Sequence, residues 1–220
     1  MSLESKIDRA GQSERRAKAK ALARSLADHA AGSGWRAARG ELFRIYNEWF
    51  IEVVTTVSLT DYRTFFALYL KPMAIDPIFW EICLLNENNG LPLSFRAQGA
   101  WVCRPPRFTM YEANDASDVE SLAATTLNWS TQQLATIDNL TMQEYFEFLR
   151  AAPRGHPGAF LATEVTSLAL MKRNSEALAM CEAARRRGDE GGFIFPDAHG
   201  KRTTFVERAV EFLQKRIADK

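Results

Sequence analysis

Metal ligands, paired cysteines and long apolar runs are what this sequence has least of. Its three cysteines, Cys83, Cys103 and Cys181, are odd in number and form no C-x-x-C pair, so free thiols in a reducing compartment are expected rather than a disulfide framework or a zinc site. The three histidines, His29, His156 and His199, each stand apart from any Cys, Asp or Glu at ligand spacing, which argues against a metal centre. The phosphate-cradling G-x-x-x-x-G-K-[ST], the dinucleotide signature G-x-G-x-x-G and the nucleophile elbow G-x-S-x-G are all missing, and no cofactor is expected. The longest uninterrupted apolar run, Phe65 to Leu70, is six residues long, against about 20 for a helix that crosses a bilayer. No apolar stretch with a small-residue cleavage site opens the chain, which predicts no secretory leader. A cytoplasmic protein with no membrane partner is the expectation.

What is present suffices for a folded body. The chain has 220 residues, 46% hydrophobic and 25% charged, values ordinary for globular proteins, and folding at this size buries roughly 70% of the unfolded surface. Charge is unevenly placed. Residues 1–40 hold 9 basic and 4 acidic side chains (+5), residues 41–171 hold 8 and 15 (−7), and residues 172–220 hold 11 and 8 (+3). Basic ends packing on an acidic body account for this, and an acidic middle would repel phosphate, so nucleic acid is not expected as a partner. Arg15, Arg16, Lys18, Lys20 and Arg24 are spread around the first helix instead of forming a stripe.

Between Glu41 and Leu70 the sequence ELFRIYNEWFIEVVTTVSLTDYRTFFALYL is aromatic and β-branched, broken only at Asn47-Glu48 and Thr60-Asp61. This predicts three consecutive antiparallel strands. Alternation places Trp49, Ile51, Val53, Thr55, Val57 and Leu59 on a core face, joined in the next strand by Tyr62, Thr64, Phe66, Leu68 and Leu70. A fourth strand is expected at Leu93 to Arg104, with a bulge at Gly99. Before the sheet, residues 4–31 are rich in Ala, Lys, Arg and Glu without proline and predict one long helix closed by Gly32-Ser33-Gly34. Asp76-Pro77 is placed to start a short helix as N-cap and first residue, with a strand as the alternative. After Pro105-Pro106 the pattern turns helical. Ser117 with Glu120, Thr141 with Glu144 and Thr204 with Glu207 have capping-box spacing, a helical pair is expected from about Gly158 to Lys172 and Ser175 to Arg187, and the last helix places Phe205, Ala209, Phe212, Leu213, Arg216 and Ile217 near one side. The expected fold is a single α+β domain over 1–220: an N-terminal helix (1–34), an antiparallel sheet region of four or more strands (35–104) and a mainly helical region (105–220) packed on one sheet face.

Two resemblances follow from these residues. LALMKRNSEALAMCEAARRRG, Leu168 to Gly188, resembles one tetratricopeptide-type hairpin in its small residues and its Glu-Ala-Leu; a lone unit cannot bury its own face, and an ordinary helical hairpin is expected. The run Gly34-Trp35-Arg36 through Glu41-Leu42-Phe43-Arg44-Ile45-Tyr46, with the long strands after it, resembles a group of uncharacterised bacterial domains in which a helix and a Gly-aromatic turn lead into an antiparallel sheet. It spans about the first half of the chain, implies the α+β class and brings no catalytic residues.

Strand parity gathers Arg44, Tyr46, Glu52, Arg63, Tyr69, Arg96 and Gln98, with Phe50 and Phe65, on the second face of the sheet. Guanidinium groups beside aromatic rings can hold an anion, a peptide or stacked bases, because arginine combines a bidentate donor fork with stacking; a solvated face with Arg–Glu pairs across strands is the plainer outcome. The Gly-rich segment Gly188 to Gly200 reads as a lid over a site or as a short hairpin capping the helical layer. The function expected first is a non-enzymatic module that binds a protein or peptide through the Arg/aromatic face or the helical hairpin. The alternative is a small-molecule binder or enzyme with a pocket between sheet and helices, drawing on Arg63, Arg96, Glu52 and His199, the last a general base candidate near Asp197. Oligomeric state is not written in the sequence.

Overall fold

Alanine, lysine and arginine with no proline dictate the first element, and the computed structural model of the protein, which describes residues 9–58, 63–113, 118–155, 158–196 and 202–219, forms it as α1 (Arg9–Ala30). In chain order there follow β1 (Arg36–Ala38), β2 (Glu41–Tyr46), β3 (Trp49–Val57), β4 (Thr64–Pro72), α2 (Ile75–Cys83), a 3-10 helix (Asn86–Gly90), α3 (Phe95–Gln98), β5 (Arg107–Ala113), α4 (Val119–Ile137), α5 (Met142–Ala151), α6 (Leu161–Leu170), α7 (Asn174–Arg186), β6 (Ile194–Pro196), β7 (Arg202–Thr204) and α8 (Phe205–Ala218). The class is α+β, with an N-terminal helix, a five-stranded antiparallel sheet and a mostly helical C-terminal half. Contacts divide the chain into two compact units, Met1–Leu70 with Arg107–Asn139, and Lys71–Pro106 with Leu140–Lys220.

The first unit is the sheet with α1 and α4. Strand order follows the chain, β1-β2-β3-β4-β5, and the β1–β2 and β2–β3 connections are short hairpins. The β1–β2 turn uses Arg39 and Gly40, both left-handed (φ 53° and 86°), the conformation that two-residue hairpins require. Gly40 has a second constraint: a Cβ there would lie 3.2 Å from the Ala23 Cβ of α1. Asn47, at φ 52°, turns the chain from β2 into β3. The expected core face is buried, with Trp49, Ile51, Val53, Phe66, Leu68 and Leu70 all sealed from solvent. Leu22, Leu26 and Ala30, one helical turn apart, form the buried stripe of α1. Trp35 donates its indole N–H to Thr131 Oγ1 of α4 at 3.2 Å, and Tyr111 of β5 lies 6.1 Å from Trp129 of the same helix.

Two departures from the sequence reading concern the sheet. The expected strand at Leu93 to Arg104 is instead α3 followed by irregular chain. Its backbone polar groups pair with buried side chains in place of a neighbouring strand: Lys71 Nζ takes the carbonyls of Arg96 (2.9 Å) and Cys103 (3.0 Å), and the Trp80 indole takes that of Trp101 at 2.6 Å. Gly99 fits here because a Cβ would fall 2.4 Å from the Phe95 carbonyl oxygen. The fifth strand is Arg107–Ala113, after the two prolines where helix was expected, and helix resumes only at Val119. Asp118 caps α4, its carboxylate accepting from the Ser121 N–H (2.9 Å) and hydroxyl (2.8 Å); Ser117 lies outside the described residues, as do Leu59 to Tyr62.

The second unit is built on α6, whose residues from Leu161 to Ala169 are all buried. A helix enclosed on every side must be slim, and LATEVTSLAL supplies Ala, Thr and Ser, whose hydroxyls at Thr166 and Ser167 return to the carbonyls four residues back (2.6 and 2.7 Å). Around it pack α2, α5, α7 and α8. Both expected capping boxes that fall here, Thr141 with Glu144 and Thr204 with Glu207, are formed. The buried stripe of α8 is Phe205, Val206, Ala209, Val210 and Leu213, leaving Phe212 half-buried and Ile217 exposed. The Gly-rich segment closes as the β6–β7 hairpin; Asp197 to Lys201, with His199, lie outside the described residues, as does His156.

Candidate functional site

The register separates the residues of the expected binding face. Arg44 stands opposite Ile51 and Tyr46 opposite Trp49, whereas Glu52 stands opposite Phe43; directly opposed residues share a face, so Arg44 and Tyr46 join the core side and Glu52 the other. Arg44 lies 5.4 Å from the ring centroids of both Trp35 and Tyr46, and the Tyr46 hydroxyl donates to Asp138 at the end of α4, a bond that raises its pKa. Glu52 is 5% exposed, and Phe43 and Phe50 are buried beside it, so this face is not simply solvated. Arg63 pairs with Glu112 at 3.4 Å, both about half-exposed, and lies 5.4 Å from the Phe65 ring. Tyr69 is half-buried in β4. Arg96 and Gln98 belong to α3 in the other unit. Within the sheet Arg44 and Tyr46 do not share a face with Glu52: the parity argument fails where a hairpin turn resets which face a strand presents, and α3 stands where the fourth strand was expected.

A tighter constellation lies in the second unit. Lys71 and Asp76 are both 0% exposed, their charged atoms 2.9 Å apart. Asp76 Oδ1 also accepts the Cys103 N–H (2.9 Å) and Oδ2 the Arg96 guanidinium (3.0 Å). The ammonium is thus satisfied by one carboxylate and two carbonyls, and Arg96 completes the cluster by donating to the Met73 carbonyl (3.1 Å) and lying 4.9 Å from the Trp80 ring. Asp76 does not cap α2, as the sequence suggested; the N-cap position is Ala74, with no side-chain bond. With Lys71 and Asp76 sealed from solvent, the cluster pins residues 96–103 onto the start of α2. Its trace in the sequence is two opposite charges five residues apart, flanked by apolar runs.

The cysteines are sealed too. Burial pushes the thiols of Cys83 and Cys181 up to about 12 and that of Cys103 higher still, so none is an activated nucleophile. Unfolded thiols titrate near pH 8.5, so as pH rises the unfolded state sheds protons first and the native state loses ground from about pH 9 until its own thiols titrate. Cys181→Ala is therefore expected to cost less stability at about pH 10.5 than at pH 7 in denaturant titrations. A penalty independent of pH would contradict the burial argument. Among the described residues no group of three or more His, Cys, Asp or Glu is placed to hold a metal ion, and no helix is long and apolar enough to cross a membrane.

A groove of about 530 Å³ lies between the C-terminal end of α2 and α8. Two arginines of α8 fix its walls. Arg208 donates to the Cys83 carbonyl at the negative end of α2 and lies 4.4 Å from the Phe195 ring. Arg216 pairs with Glu81 at 3.3 Å and lies 4.5 Å from the Phe212 ring. Ile82 and Phe212 supply apolar lining, and Leu84 stands at the edge, 70% exposed. Leu84 is left-handed (φ 56°) and closes α2 by a Schellman pair, its own N–H to the Glu81 carbonyl (3.3 Å) and the Leu85 N–H to that of Trp80 (2.8 Å). No protein-family model matches the chain, and neither curated proteins nor solved structures give a match.

Proposed function

We propose that the protein is a binding module for a peptide segment of another protein, taken in the α2–α8 groove through one large apolar side chain. The observation that carries this reading is Leu84. The left-handed position at a helix end is ordinarily glycine's, and a branched side chain there costs about 1–2 kcal/mol. Leu84 bears that cost while remaining the most exposed large apolar residue among those described. Backbone strain and apolar exposure meeting beside this groove support a contact residue, since both are tolerated where a partner uses them. The rim carries both signs of charge, with Glu81 and Arg216 already paired, so the apolar anchor would supply most of the affinity and the rim the alignment.

Panning a random-peptide display library against the protein tests this directly. Selected peptides are expected to share a large apolar residue and to lose binding to Leu84→Gly. That substitution relieves the strained backbone, part of the gain being offset by glycine's larger entropy loss; a net gain of about 1 kcal/mol raises Tm by about 2–4 °C. Lys172→Gly, at the other left-handed Schellman position of this unit occupied by a non-glycine residue (φ 61°), should stabilise similarly and leave peptide binding intact. Peptides that bind Leu84→Gly as well as the parent would refute the assignment of the groove.

A further inference from the structure

A second cavity of about 250 Å³ lies at the other side of α6, lined by Arg150 from the last turn of α5, Arg187 at the end of α7, Arg154, Glu164, Asp189 and Gly158 among others; none of its lining residues is shared with the α2–α8 groove. Its charges are partly spoken for. Glu164, almost fully buried, holds Arg154 through both carboxylate oxygens. Asp189 accepts the Gly191 N–H at 3.0 Å and lies so close to Gly158 that a Cβ there would fall 2.3 Å from its Oδ2. Gly158 is also left-handed (φ 80°), so a side chain there would be strained and would have to displace the Asp189 carboxylate. The side chains of Arg150 and Arg187, both exposed, have no ion pair or hydrogen bond among the described residues. Arg150 acts on Glu176 only through its field, lowering that carboxyl together with the stronger bond from Arg173.

Two unspent guanidinium forks from the ends of two different helices thus share one polar cavity, where the net charge of the lining is +1 (three arginines, two carboxylates). We infer that this is an oxyanion site, and that its ligand is a small phosphate monoester whose phosphate is gripped by Arg150 and Arg187. Arginine is suited to this because its planar fork matches two phosphate oxygens at once. The cavity lies below the range that holds drug-sized ligands, which favours a metabolite of a few carbons over a polymer. The α6 helix begins at this cavity with Leu161 and has no side-chain cap, so its positive end adds to the attraction. This inference is independent of the peptide groove.

The test is a thermal-shift and calorimetric titration of the full chain with inorganic phosphate and with glycerol 3-phosphate, against chloride at matched ionic strength. Saturable binding is expected, tighter for the monoester. Each lost guanidinium should weaken it about tenfold or more, so Arg150→Ala/Arg187→Ala should abolish the shift while its Tm without ligand stays at the parent value. Arg150→Lys/Arg187→Lys should retain weak binding, charge without the fork. Arg185→Ala/Arg186→Ala removes the same charge from exposed positions of α7 outside the cavity and should bind as the parent does. Absence of saturable binding, an equal response to chloride, or equal losses in the two double-alanine variants would overturn the site.

Discussion

Asp76→Ala is expected to destabilise the protein by about 3–5 kcal/mol, the cost of leaving a buried charge without its partner. The carboxylate lies 2.9 Å from the Lys71 ammonium, which is 0% exposed, and it also receives the Cys103 N–H and the Arg96 guanidinium. Its removal takes an acceptor from three donors at once, and from the ammonium its charge partner. At about 2–4 °C per kcal/mol, Tm should fall by roughly 10 °C or more. Lys71→Met should cost a comparable amount by the reciprocal route, since the buried carboxylate then loses the ammonium and keeps Arg96 and the Cys103 N–H. The double variant should fall well short of the sum of the singles, because each single penalty is largely that of the survivor. Additive losses in a double-mutant cycle would mean that the two charges do not depend on one another, contrary to the geometry.

The second large effect is Val53→Asp, expected to abolish folding. Val53 is fully buried and faces Leu42 across the β2–β3 ladder, so a carboxylate there has an apolar side chain and no cation directly opposite it. The cost of burying it exceeds about 4 kcal/mol, a large part of the stability of a typical domain. Arg63→Ala provides the contrast. Its pairing with Glu112 at 3.4 Å is about half-exposed on both sides, so solvent screening leaves about 0.5 kcal/mol or less. Denaturant midpoints should rank the two variants in that order, and the reverse order would invert the face assignment of β3 and β4.

Those two substitutions mark what the sequence makes legible and what it hides. The core face of β3 and β4 could be read from Trp49 to Leu70 because one parity is apolar over long strands, and alternation is a local property of the backbone. The capping boxes at Thr141 and Thr204 are equally local, a hydroxyl and a glutamate three residues apart. Leu93 to Cys103 has a convincing apolar parity as well, yet forms no strand, because what decides its shape is where its carbonyls find donors. Those donors are Lys71 and Trp80, distant in sequence and themselves inside apolar runs. Asp76 was misread for the same reason: the segment Asp-Pro signals a helix start, and only the fold shows that its carboxylate turns inward to a lysine and an arginine. The groove beside Leu84 and the cavity between Arg150 and Arg187 are assembled from helix ends, where neither period nor motif records which ends will meet.

The enclosure of Lys71 makes it a built-in chemical clock. Acylating reagents that modify free amines reach Lys20, Lys172 and Lys215, all exposed, at once, but they reach the Lys71 amine only when the second unit opens. The slow phase of its modification under native conditions, followed by mass spectrometry of the peptide that contains it, therefore counts opening events of that unit in real time. A single residue in this chain reports, without any added label, how often its most densely bonded region comes apart.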